Sequence, residues 1–255
     1  MNHSNHLDGN SYHSSRLPYK KSDTIIISDL HIGSRSSQTE KLSQFLDALL
    51  ENPPHRLIIN GDAFEFWNMD YKIMGKSEYK CIRKTIELSE LGTRLVYIPG
   101  NHDRAIIGFR KLTLGKIKIL NEYILERNGE KYVVMHGDEF DAFVRNHIII
   151  TLLIDQLYYL LVKAAAFFKR LIGYNVSIAD KKNSKRYLKY VEKIKRAALA
   201  YARSRKVDGI IIGHSHYPEI YRNPTGIIYA NSGDWIDSCS YVIVGSEVRL
   251  EYFKS

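Results

Sequence analysis

The sequence predicts an α/β fold, and three features of the chain point to it. Short β-rich runs alternate with helix-like stretches through the first half. Strand-like runs resume over residues 208–253, after a basic and helix-rich interval. With 255 residues and 44% hydrophobic content, the chain can form one large core, with a smaller appended element. Strands that alternate with helices are typical of βαβ units and therefore of a sheet with parallel strands.

The first five predicted elements alternate in type. Strands are predicted at 24–28 (TIIIS), 56–60 (RLIIN) and 94–98 (RLVYI), and helices at 38–51 and 77–91 between them. Each of the first two strands is followed by a helix long enough to cross over to the next strand. This order is the βαβ pattern.

Seven further strands are predicted along the rest of the chain. They lie at 116–120, 123–127, 131–136, 208–213, 226–231, 240–245 and 247–253. Asn128-Gly129 supplies a hairpin turn between the second and third of these strands. The sheet system is thus interrupted once, and residues 141–206 are predicted to be an insertion.

The domain organisation follows from these elements. Residues 1–22 are polar and rich in Ser and Asn, with no apolar segment of the kind a secretory signal needs, so we expect a disordered tail. Residues 23–255 form the main domain, with 141–206 inserted in it. Cys81 and Cys239 form no CxxC pair, which fits a reducing compartment.

The end of the insertion is strongly basic. Residues 163–206 contain 14 Lys and Arg against two acidic residues, a net charge of +12, whereas the whole chain carries +9. Such a block points to a phosphate-bearing partner, either nucleic acid or an anionic membrane surface. A solvated helix face would show the same charge, so both interpretations stay open here.

The insertion contains two predicted helices. Residues 147–168 are apolar, but Asp155 and Lys163 interrupt the roughly 20 consecutive apolar residues that a membrane span needs, so no transmembrane helix is predicted. This helix either packs against the core or forms a partly exposed lid. The second helix is amphipathic. Its apolar stripe is Tyr187, Val191, Ile194, Ala198 and Tyr201.

Potential metal ligands follow five of the predicted strands. These residues are Asp29, His31, Asp62, Asn101, His102, His136, His214 and His216. The carboxyl ends of strands in α/β sheets meet at one edge, where ligands bind. Carboxylate, imidazole and amide ligands without thiolate suit Mn²⁺, Fe²⁺ or Zn²⁺. Even seven of these eight side chains exceed the need of one ion that keeps an open position, whereas two ions about 3.5–4 Å apart, bridged by a carboxylate, would use all seven.

Five short motifs carry a resemblance to a known family. In chain order they are DLH (29–31), GD (61–62), GNHD (100–103), HGD (136–138) and GHSH (213–216). This series resembles the signature of the calcineurin-like metallophosphoesterases, in the same order. The resemblance implies two mixed β-sheets in a sandwich flanked by helices, with a dimetal centre at the strand ends.

The resemblance also implies a role for each ligand. Asp62 would bridge the two ions, for which Mn²⁺ is the first choice and Fe²⁺ or Zn²⁺ the alternatives. The other six divide into Asp29, His31 and His216 for one ion and Asn101, His136 and His214 for the other. His102 stands beside the metals without binding them, and as a protonated imidazole it would stabilise phosphoryl charge or protonate the leaving oxygen. Asp103 is expected to orient that imidazole.

A narrower resemblance concerns the substrate. The segments GDAFEFW (61–67), HGDEFD (136–141) and NSGDW (231–235), with the helical insertion, resemble the UDP-2,3-diacylglucosamine diphosphatase group. The resemblance implies cleavage of the diphosphate of a lipid-linked nucleotide in lipid A synthesis, which releases UMP and an acylated sugar phosphate. It also implies a cytoplasmic enzyme, peripheral on the inner membrane. The best-known members carry arginine where this chain has His102, which leaves the exact lipid nucleotide open.

The lid interpretation and its alternatives follow from the insertion. The apolar helix would receive acyl chains, with Leu152, Leu157 and Leu161 as candidate contacts, and the basic helix would meet a diphosphate or an anionic leaflet. A nuclease or another phosphodiesterase of the same superfamily would use the same metals, although it would not need the apolar helix, so nucleic acid is not the expected partner. A binding module that has lost activity is disfavoured, since no ligand position is missing.

Overall fold

The computed structural model describes residues 17–66, 75–109, 117–141 and 184–254. The strands of these ranges are β1 (Thr24–Ile27), β2 (Arg56–Asn60), β3 (Arg94–Ile98), β4 (Ile117–Ile119), β5 (Tyr123–Arg127), β6 (Glu130–Val134), β7 (Gly209–Ile212), β8 (Glu219–Arg222), β9 (Ile228–Asn231), β10 (Ser240–Val244) and β11 (Val248–Tyr252). The helices are α1 (Thr39–Glu51), α2 (Lys76–Glu90) and α3 (Lys185–Arg205), with short 3₁₀ helices at Arg104–Phe109 and Asp138–Phe140.

The strands form two mixed sheets. The first sheet has the order β11-β10-β1-β2-β3-β4, in which β1 to β4 are parallel and β10 and β11 are antiparallel to their neighbours. The second sheet has the order β5-β6-β7-β9-β8, with β6, β7 and β9 parallel and the two edge strands antiparallel. The fold class is therefore α/β with two mixed sheets, as the sequence predicts.

Alternation along the buried strands divides the core into layers. Ile26 and Ile211 pack in the cluster between the two sheets, whereas Ile25 belongs to the cluster that includes Phe45 of α1. On the far side of the second sheet, Ile210 packs with α3. A strand whose two faces are both covered must be apolar on both, which is why these strands are nearly continuous aliphatic runs. Helices thus cover the outer faces of a two-sheet sandwich.

Helix α3 is the described part of the predicted insertion. Its buried residues recur at helical spacing, and its first turn is capped by the Ser184 hydroxyl, which accepts the Tyr187 backbone N–H at 3.2 Å. The fully buried stripe is Val191, Ile194, Ala198 and Ala202. Tyr187 and Tyr201, which the sequence pattern puts on that stripe, are only half-buried. Ala202, which packs in the cluster with Ile210, takes the last buried position.

The structure contains one strand that the sequence does not predict, and one predicted helix lies outside the described residues. Strand β8 was not predicted, since its exposed sequence EIYR shows neither alternation nor a hydrophobic run. The apolar helix predicted at 147–168, with Leu152, Leu157 and Leu161, lies outside the described residues. Within the described ranges, no helix has both the length and the hydropathy to cross a bilayer.

Candidate metal centre

The structure brings six of the seven predicted ligands into two clusters. In each cluster, one ligand atom per residue lies within 4.8 Å of the others. The first cluster is Asp29, His31 and His216, and the second cluster is Asp62, His136 and His214. These residues follow β1, β2, β6 and β7, so the strand ends of both sheets contribute. The seventh, Asn101, follows β3, and its side-chain oxygen is buried.

Close contacts join carboxylate to imidazole within each cluster. His216 Nε2 lies 3.2 Å from Asp29 Oδ1 in the first cluster, and His136 Nε2 lies 3.2 Å from Asp62 Oδ2 in the second. Asp62 Oδ1 also accepts the backbone N–H of His102 at 2.8 Å. The carboxylates are thereby fixed by the chain as well as by the imidazoles.

The backbone adopts an unusual conformation at the ligands. Residues other than glycine rarely take a positive φ, and Asp and His are among the types that tolerate it best. Five of the six clustered ligands have φ values between +46° and +61°. They are Asp29, His31, Asp62, His214 and His216. Such strain concentrates at functional sites, because the rest of the fold must hold it in place.

Two glycines allow the ligands to approach the neighbouring backbone. A Cβ on Gly61, whose φ is +90°, would lie 2.0 Å from His136 Nδ1. A Cβ on Gly213 would lie 2.4 Å from Asp29 Oδ2. Both distances are far below contact, so the glycines of the GD and GHSH motifs are needed for packing of the ligand side chains.

Three of the imidazoles are anchored through Nδ1. His31 Nδ1 lies 3.1 Å from Glu65 Oε2, and His136 Nδ1 lies 2.9 Å from the carbonyl oxygen of Asn60. His216 Nδ1 lies 3.6 Å from Asp234 Oδ2. An acceptor at Nδ1 holds the proton there and leaves Nε2 as the metal-binding nitrogen.

The Glu65 carboxylate also holds the His102 imidazole. His102 Nδ1 lies 3.0 Å from Oε1 and 2.9 Å from Oε2 of Glu65, and the His31 and His102 rings meet edge-on at 4.9 Å. Burial alone would raise the pKa of Glu65, but the hydrogen bonds from His102 and His31 lower it to about 2. Burial opposes the charge on His102, yet Glu65 and Asp62 raise the pKa of its imidazole. Glu65 thus joins His31, a residue of the first cluster, to His102, which lies beside that cluster.

Asp103 has a different role from the predicted one. Its carboxylate accepts hydrogen bonds from the backbone N–H groups of Ala63 (2.6 Å), Phe64 (3.2 Å) and Gly100 (2.7 Å), and from the Tyr97 hydroxyl. The carboxylate on the His102 ring is that of Glu65. Asp103 is therefore the buried residue that ties together the loops after β2 and β3, and the prediction that it orients His102 is corrected to Glu65.

Each cluster contains a carboxylate and an imidazole that shift each other's pKa. Burial would raise the pKa of Asp62, but His136 lowers it well below its usual range. Burial opposes the charge on His216, but Asp29 and Asp234 raise the pKa of His216 to about 10. In the metal-free protein these raised pKa values, of His216 and likewise of His136, favour protonated rings whose charge compensates the neighbouring carboxylates. Divalent cations would take over that compensation when they displace the protons.

The residues present fit divalent metal ions. The donors are carboxylates, imidazoles and one amide, without thiolate, a set suited to borderline divalent ions. His31 Nε2 is buried and makes no hydrogen bond within the described part of the chain, although its other nitrogen is held by Glu65. A buried acceptor without a partner is costly unless a ligand meets it. A cation bound to His31 Nε2 would supply the missing partner.

Three residues that support the ligands are not apparent from the sequence. They are Glu65, Asp234 and Tyr190, whose hydroxyl lies 3.2 Å from His214 Nε2. Glu65 and Asp234 lie in the motif segments GDAFEFW and NSGDW, but their roles depend on contacts between distant strand ends. Burial raises the pKa of Tyr190, so its hydroxyl keeps its proton. No local sequence pattern identifies the contacts that these three side chains make with the histidines.

Comparison with known proteins gives the family. The sequence model of the family described as calcineurin-like phosphoesterase matches residues 23–218, which include all five motifs. The chain belongs to this family. It is therefore a metal-dependent phosphoesterase, and the family's centre holds two metal ions.

Two relatives that match over most of this chain carry the same name. A UDP-2,3-diacylglucosamine hydrolase of Aliivibrio fischeri (strain MJ11) is 25% identical over 234 residues, which cover 83% of this chain and 90% of the relative. One of Wigglesworthia glossinidia brevipalpis is 26% identical over 239 residues, covering 90% and 94%. Among solved structures, a novel archaeal phosphodiesterase is 12% identical with a TM-score of 0.48, covering 91% of this chain and 99% of that one.

Proposed function

We propose that this phosphoesterase hydrolyses the diphosphate of a lipid-linked nucleotide, with UDP-2,3-diacylglucosamine as the substrate and UMP and 2,3-diacylglucosamine 1-phosphate as the products. The observation that carries the proposal is the pair of carboxylate–imidazole clusters beside His102, in a chain whose relatives over most of its length are named for this hydrolysis. The pathway would be lipid A biosynthesis.

The two clusters would each hold one ion. Asp29, His31 and His216 would bind the first, and Asn101, His136 and His214 the second, with Asp62 between them. We propose Mn²⁺, with Fe²⁺ or Zn²⁺ as alternatives. When bound, the ions supply charge to the phosphoryl oxygens and activate water for attack at phosphorus.

His102 would act on the leaving side of the reaction. Glu65 holds its Nδ1, so Nε2 is the nitrogen left to meet a phosphoryl or leaving oxygen. Glu65 and Asp62 raise the pKa of the ring, which favours its protonated form, and 30% of its side chain is exposed, so substrate has access to it. A positioned acid of this kind contributes about 10²–10⁴-fold to rate.

The basic face of α3 would dock on an anionic surface. The exposed cations of this helix are Lys185, Arg186, Lys189, Lys193, Arg196, Arg203 and Arg205. Leu188, on the same helix, is 42% exposed. Each cation near an anionic leaflet contributes about 1 kcal/mol, so a peripheral position on the cytoplasmic face of the inner membrane would bring the enzyme to its lipid substrate.

The same cations would also suit nucleic acid phosphates, and a nuclease is therefore the second candidate. A substrate panel separates the two. The Mn²⁺-loaded protein is assayed on UDP-2,3-diacylglucosamine, an aryl phosphodiester and single-stranded DNA at equal enzyme concentration. The proposal predicts the highest kcat/KM on the lipid nucleotide. Faster cleavage of DNA than of the lipid nucleotide would overturn it.

The predicted lid has its own test. Polar substitutions at Leu152, Leu157 and Leu161 should lower kcat/KM on the lipid nucleotide and spare a short water-soluble phosphodiester, since each buried methylene contributes about 0.8 kcal/mol. Equal losses on both substrates, together with a lower melting temperature, would mean that this helix is part of the core.

A further inference from the structure

The four clustered histidines are not supported in the same way. His31, His136 and His216 are each met at Nδ1 by a carboxylate or a carbonyl oxygen. His214 is met at Nε2 instead, by the Tyr190 hydroxyl at 3.2 Å. The nitrogen of His214 left for a metal is therefore Nδ1. The residue that contacts the His214 ring, Tyr190, lies on helix α3 and not at a strand end.

The Tyr190 hydroxyl has a second partner that sets the direction of its hydrogen bonds. It donates to Asp141 Oδ2 at 3.5 Å, and that oxygen lies 4.0 Å from His214 Nε2. A hydroxyl that donates to a carboxylate is free to accept from an N–H. The chain of groups thus runs from His214 Nε2–H to the Tyr190 oxygen and on to Asp141. This arrangement selects the tautomer of His214 that has its lone pair on Nδ1.

The packing of α3 fixes where the hydroxyl lies. Val191, next to Tyr190 in the chain, and Ile194, one turn further on, are buried against the second sheet. One turn earlier, the Tyr187 hydroxyl donates to the carbonyl oxygen of Ser215 at 2.5 Å. Helix α3 therefore reaches the loop that carries His214 and His216 through two tyrosines, of which only Tyr190 contacts a ligand side chain.

We propose that Tyr190 is a positioning residue of the metal centre, which fixes the His214 tautomer through the Tyr190–Asp141 hydrogen bond and so sets the affinity of the second cluster for its ion. This inference rests on the proposed function only in taking His214 as a ligand. It makes α3, whose outer face is basic, a structural part of the metal site.

The test is a pair of tyrosine variants. Tyr190→Phe removes the hydroxyl on the ligand, and Tyr187→Phe is the matched control, because it removes a hydroxyl of the same helix that contacts only a backbone carbonyl. Metal content is measured after equilibration of the full chain against Mn²⁺ buffers of graded free concentration. Loss of a hydrogen bond to a ligating histidine lowers metal affinity by about 10–100-fold. We expect this loss for one of the two ions in Tyr190→Phe and none in Tyr187→Phe.

A spectroscopic readout and a rescue support the same test. In the Co²⁺-substituted protein, the visible bands of one ion should change in Tyr190→Phe and stay unchanged in Tyr187→Phe. Asp141→Asn keeps an acceptor for the tyrosine and should retain more affinity than Tyr190→Phe. Asp141→Asn combined with Tyr190→Phe should lose no more affinity than Tyr190→Phe alone, because both changes act through the same hydrogen-bonded chain.

Two results would overturn the inference. The first is unchanged affinity for both ions in Tyr190→Phe. The second is an equal loss of metal in both tyrosine variants with equally lowered melting temperatures of the metal-free proteins, which would show that α3 only packs. If the unaltered protein binds two ions but cleaves no lipid nucleotide, the proposed substrate fails, while the metal titration still decides the role of Tyr190.

Discussion

The two metal-ligand clusters differ in what holds their imidazoles. In the first cluster, Nδ1 of His31 and of His216 lies near a carboxylate, that of Glu65 and of Asp234 respectively. In the second cluster, Nδ1 of His136 lies near the carbonyl oxygen of Asn60. A carboxylate partner makes an imidazole more basic than a neutral partner does. The family signature therefore identifies the residues that bind the metal ions but not the affinity of each site. That affinity depends on the hydrogen-bond partners of the ligands, which the five motifs do not specify. We expect the first cluster to hold its ion more tightly.

The largest expected effect comes from Asp62. The structure groups Asp62 with His136 and His214, and the family resemblance gives it a bridging position. Asp62→Ala should abolish binding of both ions and lower turnover on the order of 10³-fold or more, since two cations would face each other with less negative charge between them. Elemental analysis and kcat measurements check this. Loss of the second ion alone would confine Asp62 to one cluster and contradict the bridge.

His102→Ala should retain both ions and lose about 10²–10⁴-fold in kcat, because the change removes an acid and no ligand. Metal analysis on the same preparation supplies the control. If the variant lost metal, His102 would have to be counted among the ligands.

Glu65→Gln is expected to be milder and to have two consequences. The amide still accepts a hydrogen bond but carries no charge, so kcat should fall by about 10–100-fold and the first ion should bind more weakly. In a His102→Ala background the kcat loss from Glu65→Gln should shrink, while the loss of metal affinity should remain. Undiminished losses in that background would mean that Glu65 acts on rate through His31 alone.

The strand ends were predictable from sequence, and the supporting contacts were not. Buried strands appear as aliphatic runs, and the polar residues that follow them must lie at the carboxyl edge, so Asp29 and His136 could be placed without coordinates. The prediction that Asp103 orients His102 does not anticipate that the Asp103 carboxylate turns toward backbone N–H groups of a neighbouring loop. Glu65 reaches both histidines only because β2 lies between β1 and β3. Such a partner is set by sheet order, which single-sequence patterns do not contain.

Asp234→Asn tests whether the carboxylate near His216 strengthens metal binding in the first cluster. Asp234 is fully buried and accepts backbone N–H groups of residues 236 to 238 on Oδ1, so an amide oxygen can keep those bonds while Oδ2, near His216, loses its charge. We expect about a 10-fold weaker first ion and an unchanged second ion. Equal weakening of both ions would show that the clusters do not differ in their support.

The smallest expected effect is a pH dependence. The folded pKa of His216 is about 10, above the ordinary 6.5, so its contribution to the stability of the metal-free protein is complete below pH 6.5 and is lost as the pH rises toward 10. Bound metal requires the neutral ring. The increase in melting temperature caused by Mn²⁺ should therefore be larger at pH 8.5 than at pH 6.5. The change in stability from one titrating group is at most about 1.4 kcal/mol per pH unit. The effect of His216 should be smaller than this limit, because 27% of its side chain is exposed and solvent screens its charge.

The control for this pH series is again Asp234→Asn. Removing the Asp234 charge should bring the pKa of His216 down and reduce the difference between the two pH values. A Mn²⁺-induced increase that is the same at both pH values in the unaltered protein would contradict the assignment of His216 as a ligand.

The position of both ions can be measured by anomalous diffraction from crystals grown with Mn²⁺. If the two clusters form a dimetal centre, the anomalous map should show two peaks about 3.5–4 Å apart. One should lie against Nε2 of His31 and His216, and the other against Nε2 of His136 and Nδ1 of His214, with Asp62 in contact with both. A single peak, or peaks away from the two clusters, would contradict it.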